Sequence, residues 1–239
     1  MTTLATMRDR IANETTWYDL LDQITDAIQS AIKTYQSQPF TFNRGHFRID
    51  TVSGTETYTL PTNLKTAAGG SITSGEDLLT IDSVINRTSG AANRLAGTSY
   101  LWLDNFYSTT VANGTPRFYA REGASIRLGP IPNGVFNIYL TGVKKLAPLS
   151  AGSDTNAWMT DGEVLIRSRA KAIIALDVLG NQDLYQRAQI MEQAALADLK
   201  AAMDNHRQSP LAPVNVQTRQ DGSPTIKPTP MAAMVNPRG

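Results

Sequence analysis

The sequence predicts an α+β protein: a helical bundle formed by N- and C-terminal helices, an inserted antiparallel β-rich domain, and an extended C-terminal tail. Three observations predict it. Apolar residues recur at helical spacing near both ends of the 239-residue chain. Between them lie short alternating segments punctuated by Gly and Pro. After residue 206 the periodicity stops, and six of the chain's 12 prolines fall in what remains. The expected boundaries are 1–39 and 157–206 for the discontinuous helical domain, 40–156 for the insert and 207–239 for the tail.

Leu4, Met7 and Ile11 mark a short first helix. Thr15-Thr16 interrupts it, with Thr16 as the expected N-cap of the next helix. Trp17, Leu20, Leu21, Ile24, Ala27, Ile28, Ala31, Ile32 and Tyr35 then form the strongest helical stripe in the chain. It stops before Pro39, whose ring restricts the residue preceding it.

The middle alternates. Phe40, Phe42, Phe47, Ile49 and Val52 read as half-buried strand positions, and the run from Glu56 to Leu60 continues the pattern until Pro61. The stretch 65–76 is rich in Gly, Ser, Thr and Ala and reads as an exposed flexible loop. Strands are expected at 78–87, 117–121, 125–128 and 135–143, with turns at Gly123 and across 129–134. The run 100–107 reads as a short helix with Leu101, Trp102 and Phe106 inward. Turn signals this close together point to an antiparallel sheet or a small sandwich, and 148–156 reads as the linker back to the helices.

Residues 160–205 read as two helices broken at Gly180-Asn181. Thr160 and Glu163 have the spacing of a capping box. Leu165, Ala172, Leu176 and Leu179 form one apolar stripe, while Glu163, Arg167 and Lys171 stand four apart on another face. Gly180 suits the left-handed position that ends a helix. Asp183 with Gln186 restarts one, whose stripe is Leu184, Ala188, Met191, Ala195, Leu199 and Ala202. Helices with single apolar faces must bury them, and the first two helices are the natural partners.

Composition narrows the chemistry. The chain is 41% apolar and 18% charged, with a net charge of +1, which makes no case for global nucleic-acid binding. The low charge fraction suggests surface shared with other subunits. Without cysteine there are no disulfides, thiolate metal sites or cysteine nucleophiles. No apolar run approaches the roughly 20 residues of a membrane span, and Met1-Thr2-Thr3 opens no secretory signal, so the chain reads as intracellular when made. His46 and His206 stand far apart, no nucleotide-binding or nucleophile-elbow motif occurs, and no metal or cofactor is expected. Asp161 and Glu163 could be imagined as a glycosidase-like carboxylate pair, but first-turn acids are favoured by the helix dipole in any case. Arg167, Arg169 and Lys171 cluster on one late helix, and Arg117, Arg121 and Arg127 on the sheet. Each group reads either as a solvated face or as a wall that meets phosphates without reading bases.

The tail, residues 207–239, carries a charge of +3 (Arg207, Arg219, Lys227 and Arg238 against Asp221). It lacks the apolar surface to offset its own ordering, so it is expected to be extended or disordered alone and to order on a partner. Leu211, Val214, Val216, Ile226, Met231, Met234 and Val235 are its candidate anchors.

The order of features resembles a known family. The carrying segments are Tyr58-Thr59-Leu60-Pro61, Gly114-Thr115-Pro116-Arg117-Phe118-Tyr119 and Ile126-Arg127-Leu128-Gly129-Pro130-Ile131-Pro132, set between amphipathic helices over residues 4–205. This arrangement resembles the head-to-tail adaptor (tail accessory, or connector) proteins of tailed bacteriophages, especially short-tailed ones. The resemblance implies a protein made in the host cytoplasm that ends in the virion neck. It also implies a homo-oligomeric ring, a dodecamer, between the portal protein and the tail nozzle, through which the genome passes during ejection. The tail would bind the portal through Arg207, Leu211, Val214, Val216, Arg219, Ile226, Lys227, Met231 and Met234. Arg167, Arg169 and Lys171 would be the candidates for non-specific contact with packaged DNA. Catalysis, cofactors and membranes are not implied. The alternatives are a nucleic-acid-binding module and a hydrolase of cell-wall glycans.

Overall fold

The computed structural model describes residues 2–90, 92–107, 113–207, 216–218 and 224–226. Residues 1–203 form one compact unit and 204–239 a second.

In the first unit, Thr3 caps α1 (Leu4–Thr15): its hydroxyl accepts from the Thr6 amide, and its own amide donates to Thr6 Oγ1. α2 (Leu21–Tyr35) buries Ile24, Ala27, Ile28, Ala31 and Tyr35, the spacing of a single helical face. After the central segment come α4 (Ala157–Thr160), α5 (Glu163–Ile173), a π turn (Ile174–Val178) and α6 (Gln182–Arg207). One hydrophobic cluster joins Leu4, Met7 and Ile11 of α1 to the α2 face, to Leu165, Ile166 and Ala170 of α5, and to Ala195 of α6. Phe40 and Phe42 enter the same cluster, each edge-on to Trp158, with ring centroids 5.6 and 4.9 Å from it.

The central segment builds two sheets. The five-stranded one runs β3 (Lys65–Thr66), β1 (Arg44–Asp50), β9 (Asn137–Lys145), β4 (Asp77–Asn86), β5 (Asn93–Arg94). The four-stranded one runs β2 (Thr57–Thr59), β8 (Ser125–Gly129), β7 (Phe118–Glu122), β6 (Ala96–Gly97). All neighbours are antiparallel except β6 with β7. A second cluster unites Phe47, Ile49 and Leu140 of the first sheet with Tyr58, Ile126 and Leu128 of the other, so the sheets share a core. Along β1, inward Gly45, Phe47 and Ile49 alternate with more exposed neighbours, as a strand buried on one face requires. Gly142 of β9 stands where β4 shifts register; a Cβ there would lie 1.8 Å from the Thr80 carbonyl oxygen. Only a residue without a side chain allows that approach.

Several sequence expectations need correction. Thr16 is not the N-cap of α2. It ends α1 in the left-handed conformation at φ 59°, and α2 begins four residues later than Trp17, after Leu20. Phe40 and Phe42 are not strand residues: Phe40 caps a 3₁₀ turn (Thr41–Asn43), Phe42 lies within it, and both belong to the helical core. The Thr160–Glu163 capping box does not form, because Thr160 ends α4 and Gly162 is the N-cap of α5. The stretch 65–76 is not all loop, since β3 pairs with β1 through Lys65 and Thr66.

α3 (Tyr100–Tyr107) is a helix as expected, and Trp102 lies against Phe118 of β7, ring centroids 5.1 Å apart, but Leu103 and not Leu101 or Phe106 is the buried apolar residue. Leu103 is 1% exposed, whereas Leu101 is 68% and Phe106 60% exposed. Arg127 explains the rotation: its guanidinium bonds Asp104 and lies 5.5 Å from the Tyr100 ring centroid, drawing that face of α3 toward β8. The expected α5 stripe also breaks. Leu165 and Ala172 are buried, but the π turn rotates Leu176 and Leu179 into solvent. On α6, Ala188 and Ala195 face inward while Met191 is exposed.

In the second unit, β10 (Val216–Thr218) and β11 (Pro224–Ile226) form a short antiparallel ladder with Val216 opposite Ile226.

Candidate functional site

Charged side chains gather where α1, α5 and α6 meet. Glu14, near the end of α1, accepts from Arg167 Nη1 at 2.5 Å, from Lys171 Nζ, and from Arg10 Nε at 3.2 Å. Arg10 also donates to Glu163 Oε1 at 2.6 Å. Burial alone would raise the Glu14 carboxyl, but the Lys171 hydrogen bond and charge, the Arg167 charge and the Arg10 hydrogen bond hold it below its ordinary value. The sequence placed Glu163, Arg167 and Lys171 on one helical face. The structure gives all three partners on α1 instead.

Arg169 points elsewhere. Its Nη1 lies 3.6 Å from Glu192 Oε1 of α6, and the same carboxylate accepts from the Tyr35 hydroxyl of α2. Glu192 is buried, while Arg169 Nε and Glu192 Oε2 have no hydrogen-bond partner among the described residues. Burial, then the hydrogen bond and charge of Glu192, push the Tyr35 hydroxyl well above its ordinary range, so it remains a donor.

Beside the Glu14 cluster is a pocket of about 390 Å³. Trp17, Leu184, Ala188 and Met191 supply its apolar lining, and Arg167, Lys171 and Arg187 its cations.

On the sheets, Arg127 is committed to Glu56 (3.1 Å) and Asp104. Arg121 donates to the Leu78 and Leu79 carbonyls at 2.7 and 2.9 Å, so two of the three sheet arginines hold structure together. Arg117 is exposed. Asp161 is exposed and Glu163 is engaged by Arg10, which takes the imagined carboxylate pair into an ion pair. His46 lies 3.1 Å from Thr141 Oγ1 on the exposed side of β1. Among the described residues no group of three His, Asp or Glu could hold a metal ion, and no helix is long and apolar enough to cross a membrane. Of the tail anchors, Arg207 closes α6, and Val216 and Ile226 are register partners in the ladder. Leu211, Val214, Arg219, Lys227, Met231 and Met234 lie outside the described residues.

Sequence reasoning missed Glu14 and Glu192. Each left a faint signal: Glu14 stands four after Arg10, and Glu192 sits inside the apolar stripe of α6.

These features describe a helical core braced by its own ion pairs and two sheets that share a second core, with apolar surface left open. A family model described as SU10 adaptor protein matches residues 2–217. The chain belongs to this family. No curated protein matches the chain. The SU10 adaptor proteins are phage head–tail adaptors, so the role of this chain is structural, at the neck of the virion, with portal and tail proteins as its general partners.

Proposed function

We propose that this adaptor assembles as a dodecameric ring seated between the portal protein and the tail nozzle, continuing the DNA channel. The observation that carries the reading is the family match over residues 2–217, which spans both helical ends and the whole insert. The helices of 1–39 and 157–206 act as one bundle, the insert 40–156 projects from it, and 207–239 binds the portal. Arg207, Leu211, Val214, Val216, Arg219, Ile226, Lys227, Met231 and Met234 are the proposed contacts of that tail. A tail carried by every copy binds with avidity, each weak contact adding to the others. The lumen has only to let DNA slide. Arg167, Arg169 and Lys171, the candidates for its wall, are already opposed by Glu14 and Glu192, which suits weak attraction.

Negative-stain imaging of the protein alone and with portal particles tests the reading. Rings are expected on the portal. Truncation after His206 is expected to leave a folded protein that no longer joins portal particles. Full portal affinity in the truncated form would overturn the assignment of the tail, and the absence of any ring on the portal would overturn the reading as a whole.

A further inference from the structure

Leu184, Ala188, Met191, Ala195 and Leu199 of α6 stand three and four apart, a stripe that a helix can bury without taking any polar group inside. The structure does not bury that stripe. Met191 is 57% and Leu184 36% exposed, whereas Glu192 is 7% exposed. Adjacent residues stand about 100° apart around a helix axis. The helix is therefore rolled toward Glu192 and away from Met191. Ala188, Ala195 and the partly buried Leu199 serve either packing. The observed one takes in Glu192 and Leu196 and leaves Leu184 and Met191 outside.

Two other helices hold the buried acid. The Tyr35 hydroxyl of α2 donates to Glu192 Oε1, and Arg169 Nη1 of α5 lies 3.6 Å from the same oxygen. Taking a carboxylate out of water is costly. A cation at that distance, with Arg169 Nε and Glu192 Oε2 unpartnered among the described residues, offsets the cost only in part. Such a contact adds little to stability. It adds position, because it is made in the observed roll and lost in the other. The other roll has room: Leu184 and Met191 already border the pocket of about 390 Å³ that Trp17 also lines. An acid buried while an apolar stripe stands beside it is a conflict between local pattern and packing, and such conflicts mark functional elements.

We infer that Glu192 is a latch: through Tyr35 and Arg169 it holds α6 rolled off its apolar stripe, so the helix has two packings related by a turn about its own axis. With the latch made, Leu184 and Met191 stay at the surface. With it broken, they turn in toward Trp17, and Glu192 turns out to water. A partner that binds one packing better than the other shifts α6 toward it. Arg169 is then a positioning residue that acts on α6. The inference concerns the single chain and does not depend on the ring reading.

The chain has no cysteine, so one introduced thiol reports one position. Met191→Cys is expected to react quickly with a maleimide in the otherwise unchanged chain. Adding Glu192→Leu, which replaces the buried acid with an apolar side chain, is expected to slow that reaction tenfold or more, with urea stability equal or higher. Adding Arg169→Met instead strands the acid and drives it outward, so the reaction is expected to slow as well. Tyr35→Phe, which deletes one hydroxyl, is expected to slow it less, and it decides in place of Arg169→Met should that variant not fold. Val135→Cys, an exposed position on the insert, is the control and is expected to react at one rate in every background. Circular dichroism checks the helix content of each variant. Unchanged reaction at position 191 in Glu192→Leu and Arg169→Met would overturn the latch. Slowing in Glu192→Leu alone would trace to the added side chain, and faster reaction would show α6 lifting off the bundle; either would overturn it too. Slowed reaction in both variants, with no rings on the portal, would remove the ring reading and leave the latch standing.

Discussion

Glu14 receives hydrogen bonds from Arg10, Arg167 and Lys171, and those contacts link α1 to α5. Its carboxyl lies lower in the folded chain than its ordinary 4.5, so on acidification the unfolded chain takes up the proton first. The stabilisation is therefore complete above about pH 4.5 and is lost as pH falls through the folded value. Asp50 behaves alike: burial opposes ionisation, but the Lys65 and Arg48 hydrogen bonds and charges outweigh it and hold the carboxyl below 3.8. Glu14→Gln is expected to lower stability at neutral pH by about 1 kcal/mol, the scale of a partly exposed ion-pair network. It is also expected to lose less than the parent on acidification. Urea melts at about pH 7 and about pH 4 measure both, and equal acid sensitivity of parent and variant would refute the assignment. The sequence showed the spacing of Glu163, Arg167 and Lys171 but not their partners, because spacing along a helix fixes a face and says nothing of what stands opposite.

Among the elements, α1, α2, β8 and β9 were legible because each carries one periodicity over most of its length. The left-handed stop at Gly180, at φ +60°, was legible for a similar reason: glycine tolerates it at no steric cost. α3 was legible as a helix but not in orientation. At eight residues, Leu101, Trp102 and Phe106 describe a face as well as Tyr100, Leu103 and Asp104 do, and Arg127 on β8 decides between them. The π turn after α5 was hidden, since an extra residue per turn leaves no mark in a sequence. The β4–β9 pair rests on Gly142, where the Thr80 carbonyl leaves no room for a Cβ. Gly142→Ala is expected to cost about 3 kcal/mol or more, at or above the upper end of overpacking costs. Gly134→Ala, with open space around the added carbon, should stay within about 0.5 kcal/mol. Thermal melts of the two variants compare them directly, and equal melting temperatures would remove the role given to Gly142.

For the whole molecule, the proposed ring would have to surround DNA without gripping it. Net charge is +1, and Arg121, Arg127, Arg167 and Lys171 are spent on acceptors within the chain. Those four cations are not free to displace counterions from phosphates. Binding to free duplex DNA is therefore expected to be weak, with a shallow dependence on salt; fluorescence anisotropy across a salt series reads the slope. A steep slope would favour the nucleic-acid-binding alternative. By itself the sequence determined the α+β class, the helical ends, the alternating centre and the resemblance to head–tail adaptors, because periodicity and turn chemistry are local and each residue reports its own neighbourhood. Only the tertiary structure decided that Phe40 and Phe42 join Trp158 in the helical core, that Glu14 gathers the cations of α5, and that α3 turns Leu101 outward. Those outcomes depend on groups far apart in the chain, whose meeting is set by packing and charge across the folded whole rather than by any stretch alone.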